Sequence, residues 1–276
     1  MAKASQSPFR IAGALLVVAA FFACRPAQEQ PTAASLLNGV QSTYRGMKTF
    51  SSKATLVTEM DGPEMQQKQE MRVKIIAVAS GKYRMGSTGA TGMLVINDGQ
   101  NIWVYMPQNK KFQKFSLNIP GSQHRSMANP GITIPVGFAG VVSYGTVATN
   151  VKRARVLGSR TLRIGGSKVQ CWVVSVDYKP HANQRTSRKS SKPMAVGSRT
   201  STLWVEKTHH LVYRDDLSIS AAQTGAATPI IVKASIKFGP ITTDQPVQES
   251  MFTFAPPPGA TEMNLPGLMS GIHPRR

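Results

Sequence analysis

The chain has 276 residues, 41% hydrophobic and 17% charged, which excludes global disorder and suits one large all-β domain or two small ones. Its 33 Lys+Arg against 13 Asp+Glu give a formal charge of +20, so its partners are expected to be anionic: nucleic acid, phospholipid head groups, lipopolysaccharide or acidic polymers. Neither of the two cysteines, Cys24 and Cys171, sits in a Cys-x-x-Cys or Cys/His cluster, so no metal and no cofactor is expected.

The first segment narrows the compartment. Lys3 and Arg10 form a positive region ahead of the uncharged run Ile11 to Ala23. That run is too short to span a bilayer as a helix and has the length of a signal-peptide core. Residues 1–23 therefore read as a signal peptide and 24–32 as a polar tether or linker, and export removes nucleic acid from the list of partners. Ala23 before Cys24 fits lipoprotein processing with acylation of the Cys24 thiol, although Phe21 stands where Leu is usual. Cleavage after Ala20, with Val18 and Ala20 as the small pair, is the rival. Lipidation is the favoured reading, and the expected location is the periplasm, free or membrane-tethered.

Residues 33–47 carry Leu36, Leu37, Val40, Tyr44 and Met47 at helical spacing, which predicts one amphipathic helix. From Phe50 the period becomes two. A first hairpin is expected around the turn Asp61-Gly62-Pro63, with Leu56 on one arm and Val73 and Ile75 on the other. A second joins Met93–Ile96 to Asn101–Met106 through Asn97-Asp98-Gly99-Gln100, residue types that tolerate positive φ. Lys111–Leu117 follows as a strand. Residues 118–146 are rich in Gly and Pro yet carry Ile132, Ile134, Val136, Phe138, Val141 and Val142, so they are read as an apolar lid over the sheet.

Strands resume at 152–164 and 168–178. In the latter, Cys171 within Val169-Gln-Cys-Trp-Val-Val reads as a small buried hydrophobe. Residues 181–199 form a basic polar insertion, after which strands are expected at 200–206, 211–220 and 229–238. In the last, Ile230, Val232, Ala234, Ile236 and Phe238 share one face. Pro256-Pro257-Pro258 marks the end of the ordered part, and 263–276 reads as a flexible tail. The fold class is mainly β (α+β): an unclosed antiparallel half-barrel of about ten strands, with an N-terminal helix and an apolar lid segment, over 33–262.

A curved sheet under a small apolar lid tends to leave a greasy cavity. Alternation nominates Leu56, Val73, Ile75, Trp103, Tyr105 and Phe112 for its lining from the first half of the chain. The lid adds Ile134, Phe138 and Val141, and the second half Trp172, Trp204, Val232 and Ile236. Either face of the sheet fits as the inner one. In the insertion, Arg185, Arg188, Lys189 and Lys192 suit contact with an anionic membrane surface or simple solubilisation.

Catalytic patterns are absent. There is no G-x-S-x-G elbow, P-loop or G-x-G-x-x-G. His209-His210 lies in a turn, and adjacent strand residues point to opposite faces, so neither that pair nor Asp215-Asp216 is placed for shared chemistry. One of the two aspartates is expected to pair with a Lys or Arg on a neighbouring strand. The chain is expected not to be an enzyme, and to act as a monomer.

Four segments carry a family resemblance: Val95-Ile-Asn-Asp-Gly-Gln-Asn-Ile-Trp-Val-Tyr-Met-Pro107, Ser250-Met-Phe-Thr-Phe-Ala-Pro-Pro-Pro-Gly259, Gly81-Lys-Tyr-Arg84, and Trp204-Val-Glu with the strand after it. Taken in chain order they resemble the LolA/LolB/RseB superfamily of periplasmic proteins across about residues 33–262. The resemblance implies an unclosed half-barrel with a helical lid, and binding of lipid or lipoprotein acyl chains for transport or sorting to the outer membrane. The alternative is an RseB-like envelope-stress sensor or regulator that binds a lipoprotein or protein partner. One departure stands out. The carrier has a basic residue followed by Pro before its equivalent of Gly81, whereas here the stretch is Ala77-Val-Ala-Ser80. The lid latch of that family is therefore not carried over.

Overall fold

The change from helical to strand period near Met47 is where the chain passes from an α-helix into a sheet. A computed structural model describes residues 30–62, 65–87, 92–117, 144–179, 194–223 and 229–263. Residues 1–29, which include the expected signal peptide and Cys24, residues 118–143, residues 180–193 and the expected tail from 264 lie outside these.

Helix α1 (Ala33–Gly46) starts at Thr32, whose hydroxyl accepts from the Ser35 N–H at 3.1 Å. This cap satisfies one of the free amide donors of the first turn. Leu36, Leu37 and Val40 form its buried stripe. Twelve strands follow: β1 (Thr49–Gly62), β2 (Met65–Val78), β3 (Tyr83–Ser87), β4 (Leu94–Asn97), β5 (Asn101–Met106) and β6 (Lys111–Ser116) in the first half; β7 (Val151–Ile164), β8 (Ser167–Tyr178), β9 (Met194–Glu206), β10 (Val212–Gln223), β11 (Ile230–Thr243) and β12 (Thr261–Glu262) in the second. They form one sheet in the order β12-β6-β5-β4-β3-β2-β1-β11-β10-β9-β8-β7. Its two edges are not paired with each other, so the sheet is an open half-barrel.

Two strands exceed the ten expected from periodicity. Strand β3 is short and contains Gly86 and Ser87, so its alternation is weak, and only the family resemblance pointed to it. Strand β12 follows the three prolines, which therefore do not end the ordered chain. It runs parallel to β6, the one parallel pair among the described strands, held by the Thr261 N–H donating to the Lys110 carbonyl at 2.9 Å. Strand β9 also begins earlier than expected. It starts at Met194 and takes in Gly197, Ser198 and Arg199, which the sequence placed in the basic insertion.

The two halves meet where β1 pairs with β11, Leu56 opposite Ile236. Between Ser52 and Ala54 the register shifts, because Gly239 and Pro240 on β11 oppose Lys53 alone. This bulge accommodates a proline inside a strand that is not at an edge. Glycine relieves a close approach here: a Cβ on Gly239 would lie 3.1 Å from the Lys53 carbonyl oxygen.

Candidate functional site

Alternation along the strands gives the sheet two faces, and the helix chooses between them. On the face under α1, Leu56, Val73, Ile75, Met85, Val95 and Ile236 form one buried cluster with Leu36, Leu37 and Val40 of the helix. Tyr144 and Val147 join it from the short turn before β7. This is the inner face.

Three contacts fix the helix to the turn between β9 and β10 and to the Tyr144–Thr146 turn. The Thr43 hydroxyl donates to the His209 carbonyl at 2.9 Å, the Tyr44 hydroxyl accepts from the Val212 N–H at 3.3 Å, and Arg45 Nε donates to the Gly145 carbonyl at 2.7 Å. The approach is close enough that a Cβ on Gly39 would stand 2.7 Å from the His210 ring, so any larger residue there would have to displace that ring. His209 and His210 thus lie in a turn as expected, and His210 takes positive φ, at 58°.

The inner face continues beyond the helix. Met60, Val232 and Ile219 sit side by side on β1, β11 and β10, half-buried and outside the main cluster. Near the C-terminal end of the helix, a cavity of about 140 Å³ opens among Tyr44, Met47, Phe50, Ala77, Tyr83 and Gly145.

Of the nominated lining residues, Leu56, Val73, Ile75, Trp172, Val232 and Ile236 lie on the inner face. Trp103, Tyr105, Phe112 and Trp204 are turned to the other side. Trp103, Tyr105 and Phe112 gather around Phe254, with ring centroids 5.2 to 5.8 Å from it, and Lys114 sits over the Trp103 ring at 4.9 Å. Trp204 packs with Leu162, Ile164 and Cys171 in a second, small cluster. Phe254 covers the first outer patch and the second packs among strand residues of β7 to β10, so alternation alone does not separate them from the inner face. Ile134, Phe138, Val141, Arg185, Arg188, Lys189, Lys192 and Cys24 lie outside the described residues. Cys171 is fully buried, and burial pushes its thiol up to about 12.

One inner-face residue had no signal in the sequence. Asp215, 9% exposed, lies in the sheet among the apolar residues of β9, β10 and β11. Its carboxylate accepts from the Ser201 hydroxyl and from the Tyr144 hydroxyl, the latter at 3.2 Å. Burial raises its pKa to about 6, against the pull of these two bonds and of the Arg199 charge. Among the described residues neither aspartate makes the expected cross-strand ion pair. Asp216 accepts instead from Arg214, on its own strand, at 2.9 Å, and from the Ser235 hydroxyl at 2.6 Å. Asp215 ties the Tyr144 turn to the sheet. Among the described residues no three His, Cys, Asp or Glu side chains come together to hold a metal ion.

No family model matches the chain, and no curated protein matches it. Solved structures similar to it include a LolA superfamily protein from Nitrosomonas europaea, at 11% identity and a TM-score of 0.34, covering 82% of this chain and 99% of that one. Another is a domain named for outer membrane lipoprotein sorting, from Vibrio parahaemolyticus, at 10% identity and a TM-score of 0.35, covering 80% and 95%. A third is the MucA/MucB complex of Pseudomonas aeruginosa, at 16% identity and a TM-score of 0.38, covering 81% and 61%. With every one of these TM-scores below 0.4, the architecture stands on the open twelve-stranded sheet and its single covering helix, and the likeness decides nothing about cargo.

Proposed function

We propose that the chain is an exported, non-enzymatic carrier that holds lipid or lipoprotein acyl chains on the inner face of its half-barrel, in the periplasm and in transit to the outer membrane. The observation that carries this reading is the row Met60–Val232–Ile219, an apolar floor that continues past the core packed under α1. An acyl chain laid on such a floor gains about 0.8 kcal/mol per buried methylene. Binding of this kind needs no cofactor. Acylation at Cys24 would tether the carrier to a membrane, and cleavage after Ala20 would release it.

The test is uptake of dansyl-labelled undecanoic acid by the purified chain, read by fluorescence and by native mass spectrometry. Wild type is expected to take one probe per molecule. Val232→Asp places a carboxylate on the floor and is expected to weaken uptake by about tenfold or more. Lys233→Ser alters the exposed neighbour on the other face and is expected to bind as wild type does. Absence of uptake together with absence of co-purified acyl chains would end the carrier reading, as would a Val232→Asp protein that binds normally.

A further inference from the structure

Near the sheet edge formed by β7, the strands β7, β8 and β9 border a cleft of about 570 Å³ whose lining includes Lys152, Arg153, Asp177, Tyr178, Arg199 and Thr200. Three cations and one carboxylate meet there. Arg153 and Asp177 satisfy each other, with Nε and Nη2 donating to Oδ2 at 3.0 and 2.8 Å. Lys152 and Arg199 remain as the positive surplus.

Arg199 is the more informative of the two. Its guanidinium lies over the Tyr178 ring, 4.9 Å from the centroid, which fixes the plane of its donors. Its Nε is buried with no hydrogen-bond partner. The side chain as a whole is only half-buried, so the rest of its guanidinium is what it offers to the cleft it lines. The other charge facing Arg199 is the Asp215 carboxylate, already bonded to Ser201 and Tyr144. A planar guanidinium beside an ammonium matches the several oxygens of a phosphate, which accept from both at once. The exposed Arg155, Arg160 and Arg163 along β7 add a positive field that draws anions toward this edge.

The position of the cleft says what the anion is attached to. Tyr178 forms part of its wall and also packs against the apolar core of the inner face. A phosphate held by Arg199 and Lys152 would therefore have apolar surface next to it on the side of Tyr178.

We propose that this cleft is a phosphate site for the head group of an anionic phospholipid whose acyl chains lie on the inner face. The proposal rests on the carrier reading and names the class of cargo. It is tested with the purified full chain by native mass spectrometry, using dioleoyl phosphatidate and dioleoylglycerol, which differ only by the phosphate, and inorganic phosphate as a third probe. Wild type is expected to prefer phosphatidate over dioleoylglycerol by about tenfold or more. Arg199→Gln and, as an exposed-site variant that leaves the core alone, Lys152→Gln should each remove most of that preference while dioleoylglycerol binding persists. Equal binding of the two lipids by wild type overturns the head-group site and leaves the carrier reading standing. So does a preference that survives both substitutions. Binding of inorganic phosphate, sensitive to both variants, with neither lipid bound, overturns the lipid source and the carrier reading together.

Discussion

Replacing Asp215 by Asn should make the protein's stability less dependent on pH. In the folded chain this carboxyl titrates at about 6, raised first of all by burial, against an ordinary value of 3.8. A raised acid favours folding while protonated, so its contribution is fully present below 3.8 and is lost as the pH climbs to about 6 and beyond. The gap, at about 1.4 kcal/mol per pH unit, amounts to about 3 kcal/mol. The groups facing the carboxyl are Ser201, Tyr144, Arg199 and Asp216, and of these only Arg199 favours its charge by Coulomb attraction. Asparagine keeps the size and an acceptor, and both hydroxyls can rotate to suit it. Urea unfolding of the two proteins at pH 4 and pH 8, extrapolated to water, gives the difference at each pH. Relative to wild type, the Asn protein should gain about 2 to 3 kcal/mol between pH 4 and pH 8. A difference that is the same at both pH values would refute a perturbed Asp215.

Other expectations follow from single contacts. Leu56→Ala, at a side chain 1% exposed in the centre of the inner cluster, should cost about 3 kcal/mol in urea unfolding. Thr32→Ala removes the hydroxyl that caps α1 and should cost about 1 kcal/mol, with a matching fall in melting temperature. Cys171 should resist iodoacetamide at pH 8 in the native protein and react only on unfolding, which intact-mass analysis reads directly. Partial burial pushes Asp98 upward, but hydrogen bonds from Trp103, Asn101 and Gln100 outweigh it and hold the carboxyl below its usual value. The stability Asp98 supplies is therefore present above 3.8 and lost as the pH falls through its depressed value, and Asp98→Ala should flatten the acid limb of a stability–pH curve.

Much of the local structure was legible because its causes are local. The turn Asn97-Asp98-Gly99-Gln100 is closed by the Asp98 carboxylate, which accepts from the Gln100 and Asn101 N–H groups at 2.8 and 2.6 Å, and Gly99 takes φ 93° as a turn glycine must. The helix showed in the spacing of Leu36, Leu37 and Val40. What the sequence concealed depends on distant chain. Trp103 and Trp172 occupy strands of similar character, yet Phe254 covers one outside and the core takes the other inside. Asp215 looks like any charged strand residue, and only its meeting with Tyr144 and Ser201 makes it part of the interior. Arg199 sits among Gly, Ser and Thr, so nothing in its neighbours indicated a strand, and its role emerges from pairing with Tyr178 on β8.

The seam between β1 and β11 also has a kinetic meaning. Phe50 lies opposite Thr243, so the contact that unites the two halves of the sheet joins nearly the first strand residue to nearly the last. Hairpins such as β1–β2 or β7–β8 can form as soon as their own residues are available, whereas the seam waits for almost the whole chain and for the closing of a very long loop. Closing this seam is accordingly expected to be the last step in assembling the sheet.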